Sequence, residues 1–288
     1  MKTIIGLALG AGSARGWAHI GVLRALTEAG VVPDVVCGCS SGAMVGAAYA
    51  NGDIDELEEW VSRMTWKQVV GLLDLSFSGG LLNRDKLFTF FESHFIGKDF
   101  SELSVPFACV ATELATGREV WLRDGPLSTA LRATSALPGL FPPVSRDGRL
   151  LVDGGLVDPV PVSLCRALGA HIVIAVDLGS DIVGSSLRRN LTEEEKQGPG
   201  WTDKLLGSLG VKRNDGLPSV TSVLSTSIQI MQTRIARSRM AGEPPDILIS
   251  PRLAHLGLMD YHRATEAIPE GAAAVKRILP AIEHVLKQ

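Results

Sequence analysis

Apolar residues along this chain follow two periods. Short, nearly unbroken β-branched and aliphatic runs at Thr3–Leu9, Val35–Cys39, Pro106–Thr112 and His171–Asp177 predict strands. A run such as "HIVIAVD" has no polar alternation, as expected of a strand buried on both faces of a sheet. Between the runs the period changes to that of a helix. Gly16–Ala29 carries Trp17, Ile20, Leu23 and Leu26 at helical spacing, and Gly30 stops it. Ser41–Ala50 predicts a second helix closed by Asn51-Gly52, and Asp55–Met64 a third, more charged and more exposed. "VSRDGRLLVDGG" predicts a hairpin turning at Asp147-Gly148, a favoured type I′ pair. Strands alternating with helices predict an α/β protein whose sheet carries helices on both faces, with residues 1–288 forming one domain.

One interval breaks this pattern. From about Gly184 to Ser219, Gly, Ser and Pro mix with charge clusters, and only "WTDKLLGSLG" has amphipathic spacing. By composition it is a flexible insertion, read as a solvated surface loop, with a lid over a site or a lipid-contacting flap as the alternative.

Composition narrows the class. With 45% hydrophobic residues in 288, the chain can bury a substantial core. A net charge of −3 gives no electrostatic case for nucleic acid. Cys37, Cys39, Cys109 and Cys165 lie inside apolar segments, as small hydrophobes rather than a disulfide framework, which suits a reducing cytoplasm. The opening "MKTIIGLALGAGSARG" is too short for a membrane span and reads as a first strand ending in a Gly-rich turn, not a leader. No cluster has the spacing of metal ligands, and no cofactor motif is present.

The chemistry begins at Gly38-Cys39-Ser40-Ser41-Gly42, a G-x-S-x-G between a predicted strand and a predicted helix. That is the context of a nucleophile elbow, whose sharp turn lifts the serine hydroxyl clear of the sheet. A serine needs a base, and the attacked carbonyl needs donors for its developing charge. Donors are offered by Gly10-Ala11-Gly12-Ser13 at the first turn, followed by Arg15 and Gly16. The same turn invites a dinucleotide reading, with Asp34 as the ribose-binding acid, but Arg15 occupies the third glycine position of that fingerprint. No Gly-Lys-Ser/Thr follows, so a phosphate loop is excluded as well.

For the base, the order of the chain matters. Ser40 follows only the second predicted strand, which argues against the common α/β hydrolase arrangement. The six histidines, 19, 94, 171, 255, 262 and 284, sit in helical or strand-start contexts and read as structural, with His19 nearest the Gly-rich turn. "LLVDGG" instead delivers Asp153 from the end of an apolar strand into Gly154 and Gly155. An aspartate serves as base at neutral pH only where burial raises its affinity for a proton.

Taken together these segments resemble the patatin-like phospholipase family. Its Gly-rich loop ending in Arg-Gly corresponds to Gly10–Gly16, its G-x-S-x-G to Gly38–Gly42, and its D-G-G to Asp153-Gly154-Gly155, in the expected order. "RATSALPGLFPP" is similar to the family's segment before the aspartate strand. "IQIMQTRIARSRMAGEPPDILISP" and "MDYHRATEAIPEGAAA" resemble the helix, strand and last helix of its small bacterial members. Two positions depart from the pattern: Cys39 stands where the family often has Thr, and Ala11 and Ser13 interrupt the glycines. Next to the candidate nucleophile, Cys39 reads as inert packing rather than a redox modulator.

The resemblance implies a three-layer α/β sandwich with a mostly parallel central sheet. It implies a serine acyl hydrolase using a Ser40–Asp153 dyad, an acyl-enzyme intermediate and the turn at Gly12 and Ser13 as oxyanion hole, with no metal. Arg15 either orders that loop or pairs with a carboxylate; the alternative is a surface arginine at a helix start. The implied substrate is a lipid carboxylic ester, phospholipid or lysophospholipid, with transient contact at the inner face of a membrane. The competing reading is a regulatory or interaction protein on the same fold with a slow or vestigial esterase site; intact Ser40 and Asp153 argue against it.

Overall fold

The computed structural model describes residues 2–72, 93, 99–181 and 220–287; the predicted loop at about 184–219 lies outside them. The strands are β1 (Ile5–Leu9), β2 (Val35–Gly38), β3 (Phe107–Glu113), β4 (Glu119–Leu122), β5 (Val144–Arg146), β6 (Arg149–Asp153), β7 (Ile172–Val176) and β8 (Ile247–Ile249). The helices are α1 (Ala18–Glu28), α2 (Ser41–Asn51), α3 (Ile54–Ser62), α4 (Trp66–Leu72), α5 (Leu127–Thr134), α6 (Val162–Ala167), α7 (Val220–Gly242) and α8 (Ala264–Leu286).

Among the described residues the strands form one sheet in the order β5-β6-β3-β2-β1-β7-β8, with β4 also pairing β3. It is parallel from β3 through β2, β1 and β7 to β8. It is antiparallel where β4 and β6 join β3 and where β5 joins β6. The sheet is therefore mixed, and its antiparallel part is the one that carries Asp153. The β5–β6 hairpin turns where predicted, with positive φ at Asp147 (50°) and Gly148 (73°), as a type I′ turn requires.

Successive residues of the central strands enter two separate cores, as the two-residue period of a strand demands. Leu7, Leu9, Val36, Cys109, Ile174 and Val176 pack on one face against α1, α2, α5 and α8. Ala8, Val35, Cys37, Ala108, Val110, Val173 and Ala175 pack on the other with Leu164 and Cys165 of α6 and Ala236 of α7. Helices thus cover both faces, as predicted. On the first face α1 and α8 meet backbone to backbone: a Cβ on Gly21 would lie 1.8 Å from the Ile268 carbonyl oxygen, and one on Gly271 1.9 Å from that of Ala18.

Strand register sets up the site. Leu9 pairs with Gly38, so the turns after β1 and β2 leave the sheet side by side. Gly38 in turn pairs with Cys109, and Asp153 lies opposite Ala111, two residues beyond, level with the turn after β2.

Candidate active site

Ser40 occupies the junction of β2 and α2 with φ 53° and ψ −122°, a left-handed conformation strained for any residue with a Cβ. The sharp strand-to-helix turn expected here is present. It is pinned on both sides: the Ser40 N–H donates to Thr134 Oγ1 (3.0 Å), and the Cys39 N–H to the Leu9 carbonyl (3.0 Å). The helix start packs directly on the Gly-rich turn, because a Cβ on Gly42 would lie 2.2 Å from the Leu9 carbonyl oxygen and 2.6 Å from that of Gly10. Gly16 and Gly38 are also close approaches, against the Ser41 side chain and the Ala43 backbone.

Asp153 is 1% exposed yet lines the same cleft as Ser40. Its Oδ1 accepts the Gly155 N–H (2.8 Å), and Thr112 Oγ1 donates to its carbonyl (2.8 Å). Gly154 is required by proximity, since a Cβ there would sit 2.2 Å from the Val110 carbonyl oxygen. At Gly155 it would meet Gln232.

In the Gly-rich turn the four candidate donors divide into two pairs. The Gly10 N–H donates to the Val176 carbonyl (3.0 Å) and the Ala11 N–H to that of Pro159 (2.8 Å), so both serve the fold. The N–H groups of Gly12 and Ser13 carry no such bond among the described residues, and both residues line the cleft. Ser13 has φ 53°, held by its hydroxyl donating to the Leu258 carbonyl (2.7 Å) and contacting the Tyr261 hydroxyl (2.8 Å).

Arg15 is not a surface arginine. It is 4% exposed, lines the cleft, and donates from Nε to the Leu256 carbonyl (3.0 Å). Burial lowers its pKa to about 10, with Asp181 and Asp260 opposing the drop. It lies in a tight 3-10 turn, Ser13–Trp17, its N–H bonding back to the Gly12 carbonyl (3.2 Å), and this turn takes up the first two residues of the helix predicted from Gly16, so that α1 begins at Ala18.

His19 is fully buried, and its Nε2 lies 2.8 Å from the Gly10 carbonyl oxygen. A carbonyl only accepts, so Nε2 carries the proton. Burial brings the imidazole's pKa down to about 4. Asp34, the acid of the dinucleotide reading, accepts the Ile5 N–H (3.0 Å), at the opposite end of β1 from the Gly-rich turn. Cys39 is buried, and its thiol is pushed well above its usual range by burial, then by Asp153; it packs as predicted. Among the described residues no group of three or more His, Cys, Asp or Glu is arranged to hold a metal.

Sequence reading missed several groups. Thr134 lay inside the quoted "RATSALPGLFPP" without a role. Asp158, five positions after Asp153 in "DGGLVDP", is buried with its Oδ2 3.4 Å from Arg239 Nη2. Its carboxyl is raised to about 7 by burial, then by Glu119, with Arg239 opposing. Gln229, Gln232 and Thr233 bring α7 against the cleft, and no local signal announces that.

Comparison with known proteins fits this geometry. The chain is 32% identical to an NTE family protein of Mycobacterium tuberculosis over 97% of its own length and 92% of that protein's. It is 38% identical to human patatin-like phospholipase domain-containing protein 6, across 61% of this chain and 13% of that one. It is 36% identical to lysophospholipase nte1 of Emericella nidulans, across 61% of this chain and 12% of that one. Among solved structures, VipD of Legionella pneumophila superposes with a TM-score of 0.51 at 12% identity, over 97% of this chain and 67% of that one, a likeness of fold. The model of the patatin-like phospholipase family matches residues 7–166, a span that takes in the Gly-rich turn, Ser40 and Asp153. With that match and a relative aligned along nearly its whole length, the chain belongs to the patatin-like phospholipase family, a family of lipid acyl hydrolases.

Proposed function

We propose that the chain, as a single domain of residues 1–288, cleaves carboxylic esters of the phospholipid or lysophospholipid class through a Ser40–Asp153 dyad. The observation that carries this reading is the strained elbow, which projects Ser40 into a cleft shared with Asp153, Gly12 and Ser13. A left-handed serine is costly and persists where its surroundings enforce it, as at sites where the strain serves chemistry.

In this mechanism Ser40 Oγ bonds to the ester carbonyl carbon while its proton passes to Asp153. The carbonyl oxygen takes up the displaced electron pair and is met by the N–H groups of Gly12 and Ser13. Collapse expels the alcohol, which leaves with the proton from Asp153, and Ser40 keeps the acyl group. Water then repeats the sequence, with Asp153 taking its proton and returning it to Ser40 as the fatty acid departs. The Gly155 N–H orients the Asp153 carboxylate by holding Oδ1. His19 has no part in the relay, because it is fully buried and does not line the cleft that Ser40 and Asp153 share.

The test pairs two variants of the full chain. Ser40→Ala abolishes both hydrolysis of a short-chain aryl ester and covalent labelling by a fluorophosphonate. Asp153→Asn lowers acylation by orders of magnitude while KM changes little. Retained labelling in the folded Ser40→Ala variant sinks the assignment of the nucleophile.

A further inference from the structure

The helix that walls the cleft has a second face. Residues Ile228, Gln229, Gln232, Thr233 and Ala236 of α7 turn toward the cleft. On the other side Val223, Leu224, Ile230 and Met231 are large apolar side chains left 45% to 57% exposed. These four are more than half of the large hydrophobics exposed to that extent among the described residues, and they fall on one helix. One to two turns further on, the same exposed side carries Arg234, and beside it Arg237, which donates one N–H to the Ser180 carbonyl (3.2 Å) and keeps its remaining donors. The whole of α7 contains three arginines and no Asp or Glu, in a chain whose net charge is −3.

An apolar patch running into a cationic end on one exposed helix face is the arrangement that lies in the boundary layer of a bilayer, burying its apolar side chains among acyl chains and setting its arginines against anionic headgroups. Among the described residues no helix is long and apolar enough to cross a membrane, so the contact this face offers is peripheral. We propose that the exposed face of α7, through Val223, Leu224, Ile230 and Met231 with Arg234 and Arg237, seats the protein on an anionic lipid surface. The occupant is a lipid surface rather than a second protein because the charge is of one sign and the patch is contiguous with the wall of the cleft. The proposal rests on the lipid-ester reading, since it explains how a substrate that lives in a bilayer meets Ser40: the helix that touches the surface also borders the cleft, so an acyl chain has a short path between them.

The test uses the full chain and two vesicle preparations, phosphatidylcholine alone and phosphatidylcholine mixed with phosphatidylglycerol, read by cosedimentation. The wild type should bind the anionic vesicles about tenfold or more tightly than the neutral ones, a preference that salt weakens. Replacing Val223, Leu224, Ile230 and Met231 by Ser, or separately Arg234 and Arg237 by Gln, should each lower that binding about tenfold. Circular dichroism and hydrolysis of a water-soluble aryl ester should stay at wild-type levels in both variants. Wild-type protein that ignores both vesicles, or variants that bind as tightly as wild type, would overturn the proposal. So would a serine variant that converts a dimer to a monomer with vesicle binding unchanged, which would assign the face to a second copy. If the wild type fails to hydrolyse the aryl ester, the lipid-ester reading falls, and the vesicle measurements still decide this one separately.

Discussion

Replacing His19 by Gln separates the dyad from a triad and also tests the electrostatics of the core. His19 is fully buried, with Nε2 on the Gly10 carbonyl and Nδ1 without a partner among the described residues. Protonating Nδ1 would place a charge where nothing accepts its hydrogen, and burial accordingly lowers the pKa from 6.5 to about 4. The sign follows from linkage. Below pH 6.5 the unfolded chain takes up a proton that the folded one refuses, so stability is lost as pH falls toward 4. At about 1.4 kcal/mol per pH unit, the loss attributable to His19 is about 1.4 kcal/mol near pH ~5.5 and about 2.5 kcal/mol near pH ~4.5.

Wild-type acid stability alone cannot reveal this, because Asp158 and Asp177 act in the opposite direction. Burial raises both carboxyls, Asp158 to about 7, so their contribution improves as pH falls. The informative quantity is the difference between wild type and His19→Gln in urea denaturation, measured from about pH 7.5 down to about 4.5. The variant starts less stable, since Gln fills the imidazole's space imperfectly, and the gap should narrow by about 2.5 kcal/mol over that range. A gap constant to within about 0.5 kcal/mol would refute the neutral, buried imidazole. The same variant should keep most of its esterase activity. A loss as deep as that of Asp153→Asn in folded protein would require a histidine relay.

Two further variants probe backbone geometry. Ser40→Gly relieves the left-handed strain that Ser40→Ala retains; with ~1–3 kcal/mol of strain set against ~0.5–1 kcal/mol of extra chain entropy, it should melt ~2 °C or more above Ser40→Ala, both being inactive. Equal melting temperatures would mean the elbow is unstrained. Gly271→Ala, a change that ordinarily stabilises a helix interior, should instead destabilise by ~1–3 kcal/mol or more because its methyl would drive α8 off the Ala18 carbonyl; an unchanged denaturation midpoint would show that the two helices separate freely.

What the sequence discloses here is local. The runs that became β1, β2, β3 and β7 were legible because a strand buried on both faces must be apolar throughout. The elbow was legible because close backbone approach demands glycine at positions 38 and 42, and the β5–β6 turn because a positive φ limits which residues are used there. The groups that hold the site together are fixed by contacts between distant parts of the chain. Arg15 meets Leu256 across 241 positions, and Ser40 meets Thr134 across 94. Nothing near Arg15 marks it as buried, so its surface reading was as well founded as any until α7 and the 256–261 segment were in place around it.

The two acids of "DGGLVDP" sit in different surroundings. Asp153 and Asp158 are equally buried, but Asp153 lines the cleft with its carboxylate oriented by Gly155. Asp158 reaches Arg239, which also pairs with Glu119 at 2.7 Å, and so couples the loop after β6 to α7. The next residue, Pro159, takes the Ala11 N–H, while Gly154 packs its backbone on β3 and beside the Cys39 sulfur. With Cys39 bonded to Leu9, the turn after β1, the elbow after β2 and the acid loop after β6 form a closed ring, two links of which are backbone hydrogen bonds and the third the Cys39 sulfur beside Gly154. The glycines of the three motifs are what let these segments approach, so a side chain added at Gly42 or Gly154 would separate Ser40 from the Gly-rich turn and from Asp153 without altering any of the groups proposed for the mechanism.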